Sequence, residues 1–367
     1  MLLHPFPHAF GVDIGDLSIK LVQLRNLSLR HGRPTYELET SRSISLPPGL
    51  IINGEIQEPE KVRKYLEHLL MGSRKDMKPV RSRWVVGSIP DTQGFLKLIT
   101  INKKEEEIIE EDILILAKKH IPFDEEEYYV NWQVMPEENS ANTKVLLGAS
   151  PKRISDMYTY LLESLGLGVI ALEIESLATT RAMITVDKSY NDEARAVLDI
   201  GAARSTLIIY DKGHIQFTRT LPFSGSVFTT AVAQKLKISM EDAEQKKIHD
   251  GLMYKRSKTW PILSGLAEDL ALQIEKTIQF YYSHFPGANT VTHITMCGGG
   301  ALMKNLDTYL STKLHIDARP GHVWKNLFSH GHNKSPIPSD PEALHYATSI
   351  GLALRAADNP FFVIDVI

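Results

Sequence analysis

Two stretches of the 367-residue chain carry one pattern: Val12-Asp13-Ile14-Gly15-Asp16-Leu17-Ser18 and Leu198-Asp199-Ile200-Gly201-Ala202-Ala203-Arg204-Ser205. In each, an apolar run delivers an Asp, an apolar residue and a Gly, and a second apolar run follows a tight turn. Glycine admits the positive-φ geometry that turns backbone N–H groups inward. Successive inward amides form an anion nest, and a nearby Asp can hold the cation that accompanies a phosphate. One Asp-x-Gly describes an ordinary hairpin turn equally well. Two copies about half a chain apart point to phosphate loops that face each other across a cleft and clamp a nucleotide.

Two further elements suit the rest of such a ligand. Met296-Cys297-Gly298-Gly299-Gly300-Ala301 ends one expected strand and opens an expected helix over 301–314. Its glycines let a base or ribose pack against bare backbone, and a helix N-terminus favours anions. A flexible strand-to-helix turn is the alternative. In Ala243-Glu244-Gln245-Lys246-Lys247, Glu244 and Lys247 share a helical face. They suit ribose hydroxyls and a base edge, or equally a surface ion pair.

Other signals carry less. Gly166-Leu167-Gly168-Val169-Ile170-Ala171 fits a dinucleotide fingerprint but follows a helix and enters a strand, the reverse of what that motif needs. No Gly-Lys dipeptide occurs, which excludes a Walker A loop. His330-Gly331-His332, His4 and His8 lack acidic or thiol partners nearby in sequence and read as solvated loops. The basic stretches 61–64 and 75–83 have too few aromatics for a strand-binding groove. They suit an anionic lipid surface, weakly.

The elements that must hold these residues alternate. Expected strands (10–25, 84–89, 95–101, 128–135, 144–150, 169–173, 195–223 and 292–297) are interleaved with helices (60–71, 155–165, 176–184, a long one marked by Leu266, Leu270, Ile274 and Ile278, and 343–356), which means α/β. Asn102 and Glu105 form an expected capping pair for a helix carrying Ile109, Ile113, Leu116 and Ala117. Residues 85–168 read as a compact mixed unit inserted into something larger. The length implies more than one domain. The 43% hydrophobic and 23% charged fractions are those of a globular protein. Charges nearly cancel, 41 Lys+Arg against 44 Asp+Glu, so nothing general favours nucleic acid. Cys297 is the single cysteine, which excludes an intramolecular disulfide. No stretch approaches the roughly 20 apolar residues of a spanning helix, and the first residues lack a signal-peptide pattern. The expected location is therefore cytoplasmic.

In order and spacing the nucleotide elements resemble the actin-like ATPase superfamily, and within it the PilM family of type IV pilus assembly proteins, then the division protein FtsA. The residues that carry the resemblance are Gly11-Val12-Asp13-Ile14-Gly15 with Lys20-Leu21-Val22, Glu173-Ile174-Glu175-Ser176, Asp199-Ile200-Gly201-Ala202, Gly298-Gly299-Gly300-Ala301-Leu302 and Tyr346-Ala347-Thr348-Ser349-Ile350-Gly351-Leu352-Ala353-Leu354-Arg355. It extends over about 10–357. It implies two RNase H-like lobes around a nucleotide cleft, with an FtsA-type 1C subdomain inserted at 85–168. Lobe 1 (1A) would comprise 1–84, 169–193 and 343–357. Lobe 2 would comprise 194–227 and 289–342 (2A), with 228–288 as subdomain 2B.

The resemblance implies ATP and Mg²⁺ as cofactors. Asp13 matches the first-loop Asp that holds the metal through water, and Lys20 the lysine that reaches the phosphates. Asp199 matches the second-loop Asp near the metal and the attacking water, and Glu175 the residue that orients that water, so these two are the catalytic candidates. Glu244 and Lys247 match ribose and adenine contacts, and Gly298, Gly299, Gly300 and Ala301 the adenosine loop. Gly15, Ser18, Gly201, Ala202, Ser205 and Gly225 complete the cofactor-binding set. Asp16 stands where a Ser is usual and would set a carboxylate against the γ-phosphate. Ser224 replaces a usual Gly. Both departures imply slow hydrolysis, with nucleotide acting as a switch.

The function so implied is a cytoplasmic ATP-binding scaffold of the type IV pilus inner-membrane platform. It would hold the N-terminal peptide of a PilN-like membrane protein in a groove between 1A and 1C, and be peripheral on the inner membrane through that partner. Other platform or motor proteins and self-association are further expected contacts; nucleic acid is not. The alternatives are an FtsA-like filament-forming ATPase and a GspL-like secretion component. The chain shows neither the terminal amphipathic helix of the first nor the spanning helix of the second. Its last residues, Phe361–Ile367, read as an extended apolar segment that can occupy the peptide groove, or as a disordered tail.

Overall fold

The computed structural model describes residues 5–27, 35–72, 77–121, 127–135, 142–186, 188–327 and 340–358. Strand β1 (Phe10–Ile14) is buried throughout and turns at Gly15–Leu17 into β2 (Ser18–Asn26), which pairs with β3 (Tyr36–Ser45). A short hairpin, β4 (Ile51–Ile52) and β5 (Glu55–Ile56), turns at Asn53-Gly54, as that dipeptide favours. Helix α1 (Pro59–Met71) leads to β6 (Trp84–Ile89), which lies parallel to β1. After the segment 90–151, helix α3 (Lys152–Glu163) leads to β10 (Gly168–Ile174), parallel to β6. The first sheet thus runs β10-β6-β1-β2-β3. Leu66, Leu69, Tyr158 and Leu162 of α1 and α3 pack on its Phe10, Ile19 and Val85.

The second lobe repeats this plan. Strands β11 (Ala194–Ile200), β12 (Ser205–Asp211) and β13 (His214–Leu221) form an antiparallel meander. Strands β14 (Val291–Cys297) and β15 (Asp317–Pro320) add in parallel, giving the order β13-β12-β11-β14-β15. Between them lie α5 (Gly225–Leu236), α6 (Met240–Asp250) and α7 (Trp260–His284), and α8 (Leu306–Leu314) joins β14 to β15. The chain returns to lobe 1 through α9 (Asp340–Ala343) and α10 (Ala347–Ala357). Helix α10 lies against β1 and against α4 (Glu175–Met183). One apolar cluster joins Val22 and Leu24 to Val197, Ile208, Cys297 and Ile350, so the lobes share a core.

The inserted unit is smaller than the expected 85–168. Strands β7 (Phe95–Ile101), β8 (Tyr128–Met135) and β9 (Thr143–Pro151) make a separate antiparallel sheet, order β7-β9-β8. Helix α2 (Glu110–His120) covers one face, where Ile99, Ile101, Val145 and Leu147 meet Ile113 and Ala117. The alternate residues Leu96 and Leu146 pack toward Ile174 of the first lobe, the period-two division of a sheet covered on both faces. Strand β6 and helix α3 belong to the first sheet and its cover instead.

Helix starts moved in two places. The Asn102–Glu105 pair does not open α2; Glu105–Glu107 is a separate 3₁₀ turn, and the Asp112 carboxylate accepts from the Ile109 N–H at 3.2 Å to cap the helix. The glycine triplet opens a 3₁₀ turn, Gly299–Leu302, and α8 begins only at Leu306.

Candidate functional site

Strand ends place the carboxylates. Asp13 lies near the end of β1, opposite Lys20 in the antiparallel register with β2, and its Oδ2 accepts from Lys20 Nζ at 3.2 Å. The Ser88 hydroxyl at the end of β6 donates to Asp13 Oδ1 at 3.1 Å and accepts from the Ile14 N–H. Asp199 holds the equivalent place on β11, beside Cys297 of β14. Burial pushes the Asp199 carboxyl up to about 6, against the pull of Lys20. Burial works against the Lys20 ammonium too, yet Asp13 and Asp199 more than offset it and hold its pKa above the ordinary value. Carboxylates from both lobes therefore act on one lysine, as loops facing across a cleft require.

Both turns are tight, as the repeat predicts, but neither Gly15 nor Gly201 takes the positive φ expected of it, and each N–H is spent within its own turn. The Gly15 N–H donates to Ser18 O at 3.0 Å, and the Gly201 N–H to Arg204 O at 2.9 Å. The second loop is fastened to the start of α5, where Gly225 and Ser226 donate to Gly201 O and Ala202 O, each at 2.9 Å. Ser224 caps this helix, its Oγ accepting from the Val227 N–H at 3.2 Å. Its φ of −164° is extended backbone that any residue adopts, so the Ser in place of Gly costs nothing there. Ser205 begins β12, buried, with no hydrogen-bond partner for its hydroxyl among the described residues.

Glu244 and Lys247 do come to this place. Lys247 Nζ reaches Glu244 Oε2 at 2.7 Å, Gly225 O at 3.2 Å and Thr229 Oγ1 at 3.0 Å. The pair is thus tied to the start of α5, beside the second Asp-x-Gly loop, not isolated on the surface.

The glycine triplet has a tighter reason for its composition than an open slot. Gly298, at φ +76°, is where a side chain would strike Asp199 and Ile200, and a Cβ on Gly300 would strike Ile200. Gly299 faces His345, whose Nδ1 lies 2.9 Å from where a Cβ would sit. Ala301 is buried beside them in the 3₁₀ turn.

Glu175 is the first residue of α4, and burial pushes its carboxyl up to about 8 against the opposing pull of Arg204. The structure adds a neighbour that sequence reasoning missed. Asp91 follows β6, its N–H donates to Glu175 Oε2 at 3.2 Å, and its Oδ1 accepts from the Ser176 N–H at 3.1 Å. Burial raises the Asp91 carboxyl as well. The available signal was a Pro90-Asp91 turn directly after an apolar strand.

Asp16 differs from expectation in its charge balance. It accepts from the Gly54 N–H (Oδ1) and the Asn53 N–H (Oδ2), both at 2.9 Å, and Oδ1 also accepts from Arg204 Nη2 at 2.6 Å. A carboxylate so compensated does not present a free negative charge to a phosphate. Arg204 is the second residue that sequence reasoning left without a role.

The fit to a nucleoside phosphate follows from this donor set. Lys20 and Arg204 are the cations that would meet phosphate oxygens. Asp13 and Asp199 supply carboxylates for an accompanying cation, whose shell phosphate oxygens and water would complete. His330-Gly331-His332, His4 and Phe361–Ile367 lie outside the described residues. No helix among the described residues is long and apolar enough to cross a membrane.

The solved PilM–PilN type IV pilus biogenesis complex resembles this fold with a TM-score of 0.78 at 22% identity, over 96% of this chain and 100% of that one. MreB 5 of Spiroplasma citri bound to AMPPNP superposes with a TM-score of 0.52 at 13% identity, over 95% of each chain. Both show an actin-like fold. In sequence, a 91-residue stretch is 30% identical to the cell division protein FtsA of Neisseria meningitidis serogroup B, and a 93-residue stretch 28% identical to FtsA of Bacillus subtilis. The chain spans about a fifth of the length of these relatives, 22% and 21% respectively. A family model described as type IV pilus assembly protein PilM matches residues 11–357, and by that match the chain belongs to the PilM family.

Proposed function

We propose that this protein is a nucleotide-binding scaffold of a type IV pilus assembly platform, cytoplasmic and held at the inner membrane by a PilN-like partner. The observation that carries the reading is the paired placement of Asp13 and Asp199 at matching strand ends of two lobes of identical plan, both acting on Lys20. MgATP would lie between the loops, with Asp13 and Asp199 holding the cation through water and Lys20 meeting phosphates. Glu244 and Lys247 would face the ribose, and the Gly298–Ala301 turn the adenosine. Glu175 and Asp199 would act on water. Glu175 holds its proton near neutral pH, which suits slow turnover, since a protonated carboxyl is a poor base for that step.

The partner's peptide would lie along the seam between the small sheet and lobe 1, outside the buried contact of Leu96, Leu146 and Ile174. A junction of separately built surfaces suits an extended segment that pairs with a strand edge and buries alternate side chains. A PilM relative solved in complex with PilN supports a PilN-like protein as the partner. Membrane fractionation in cells with and without the partner tests it. The protein should leave the membrane fraction when the partner is deleted; retention there would contradict partner-mediated docking and favour direct lipid contact.

A further inference from the structure

Arg204 is a charged residue of the second loop whose guanidinium crosses to the first lobe. Its Nη2 donates to Asp16 Oδ1 at 2.6 Å and its Nη1 to Thr92 Oγ1 at 2.8 Å, with the side chain only 14% exposed. Both acceptors are otherwise engaged. Asp16 keeps the Asn53 and Gly54 amides, and Thr92 Oγ1 donates to Asn53 O at 2.9 Å. Withdrawal of the arginine leaves both acceptors hydrogen-bonded but takes from the buried Asp16 its cation, so an incoming anion must offset that loss. Arg181 of lobe 1, by contrast, is clamped through two nitrogens to Glu173 and also bonds Gly351 O. It has the environment of a fixed structural ion pair; Arg204 does not.

The surroundings say what would take the arginine away from Asp16. Asp13, Asp91, Glu175 and Asp199 crowd the same cleft, and Lys20 is already paired with Asp13. An incoming polyphosphate needs a further cation, and guanidinium matches phosphate oxygens in a bidentate way. A nucleotide whose base end lies on the lobe 2 side, at the glycine triplet and Lys247, has its outermost phosphate farthest toward lobe 1, where Arg204 reaches. We infer that Arg204 is a terminal-phosphate sensor: it leaves Asp16 for the γ-phosphate of a bound nucleoside triphosphate and distinguishes triphosphate from diphosphate. This deepens the nucleotide reading above and rests on it.

The test is calorimetric titration of the full chain with Mg-AMPPNP and with MgADP, for the wild type, Arg204→Ala and Asp16→Asn. Arg204→Ala should weaken AMPPNP about tenfold to a hundredfold, the worth of a charge-assisted pair, and ADP less than about threefold. Asp16→Asn frees the arginine and should leave AMPPNP affinity equal or higher, which gives an independent measure if Arg204→Ala folds poorly. A wild type that binds neither nucleotide removes the nucleotide reading itself. A wild type that binds both, with Arg204→Ala weakening them equally or not at all, or with Asp16→Asn losing AMPPNP selectively, overturns the sensor alone.

Discussion

At the scale of single residues, burial makes three acids of the cleft, Glu175, Asp199 and Asp91, hold their protons more tightly than usual. Glu175 is moved from its ordinary 4.5 to about 8 and Asp199 from 3.8 to about 6, each first by burial. The folded state therefore binds these protons more tightly than the unfolded one. The stability they contribute is complete below the unfolded values and is lost as pH rises through about 6 and then about 8. The ligand-free protein should melt progressively lower between about pH 5 and pH 8. Glu175→Gln keeps the shape without the titration, so it should flatten that slope and raise the melting temperature at pH 8. Its effect is on the order of 1–3 kcal/mol, because Asp13 and Asp91 act on the same carboxyl. Melting curves across that pH range decide; an unchanged slope in Glu175→Gln would show that the carboxyl is charged throughout. Asp13 and Asp199 stood out in the sequence through the repeated Asp-x-Gly pattern, and Glu175 only through the family resemblance. Asp91 and Arg204 did not stand out, since their partners are 84 or more positions away and only the assembled lobes bring them close.

At the scale of elements, close backbone approach fixes where the site lies. A Cβ on Gly11 would sit 2.5 Å from Ala353 N and 2.6 Å from Ser349 O, and one on Gly351 would fall on the Ala178 backbone. Strand β1, α10 and α4 are thus locked together just behind Asp13 and Glu175. Gly351→Val should destabilise the protein by more than about 3 kcal/mol, since no flexible side chain is there to yield. Gly265→Ala on α7, with nothing within 4 Å, should be neutral or stabilising by up to about 1 kcal/mol. Urea unfolding of the two variants checks this, and similar losses in both would contradict the packing argument. The element types could be read from periodicity, whereas their boundaries depended on caps. Asp112, not Asn102, caps α2, because a carboxylate three residues into the helix can reach back to the Ile109 amide. The expected helix at Ala301 became a 3₁₀ turn, since the glycines there are held against Ile200.

At the scale of the whole molecule, the two Asp-x-Gly stretches fall at matching strand ends of two lobes with the same sheet order; the repeat alone led only to facing loops, and the lobes were expected through the family resemblance. The extent of the inserted unit was less legible. Strands β6 and β10 join the first sheet by parallel pairing, a contact that local sequence pattern does not carry. The account's central claim is that the facing loops bind MgATP, and titration calorimetry of the wild type against Asp13→Ala tests it most directly. The wild type should give saturable heat for one site and a raised melting temperature with MgATP, and its affinity should fall at least about tenfold once the carboxylate that would anchor the cation is gone. No heat and no thermal shift in the wild type, or undiminished binding in Asp13→Ala, would contradict it.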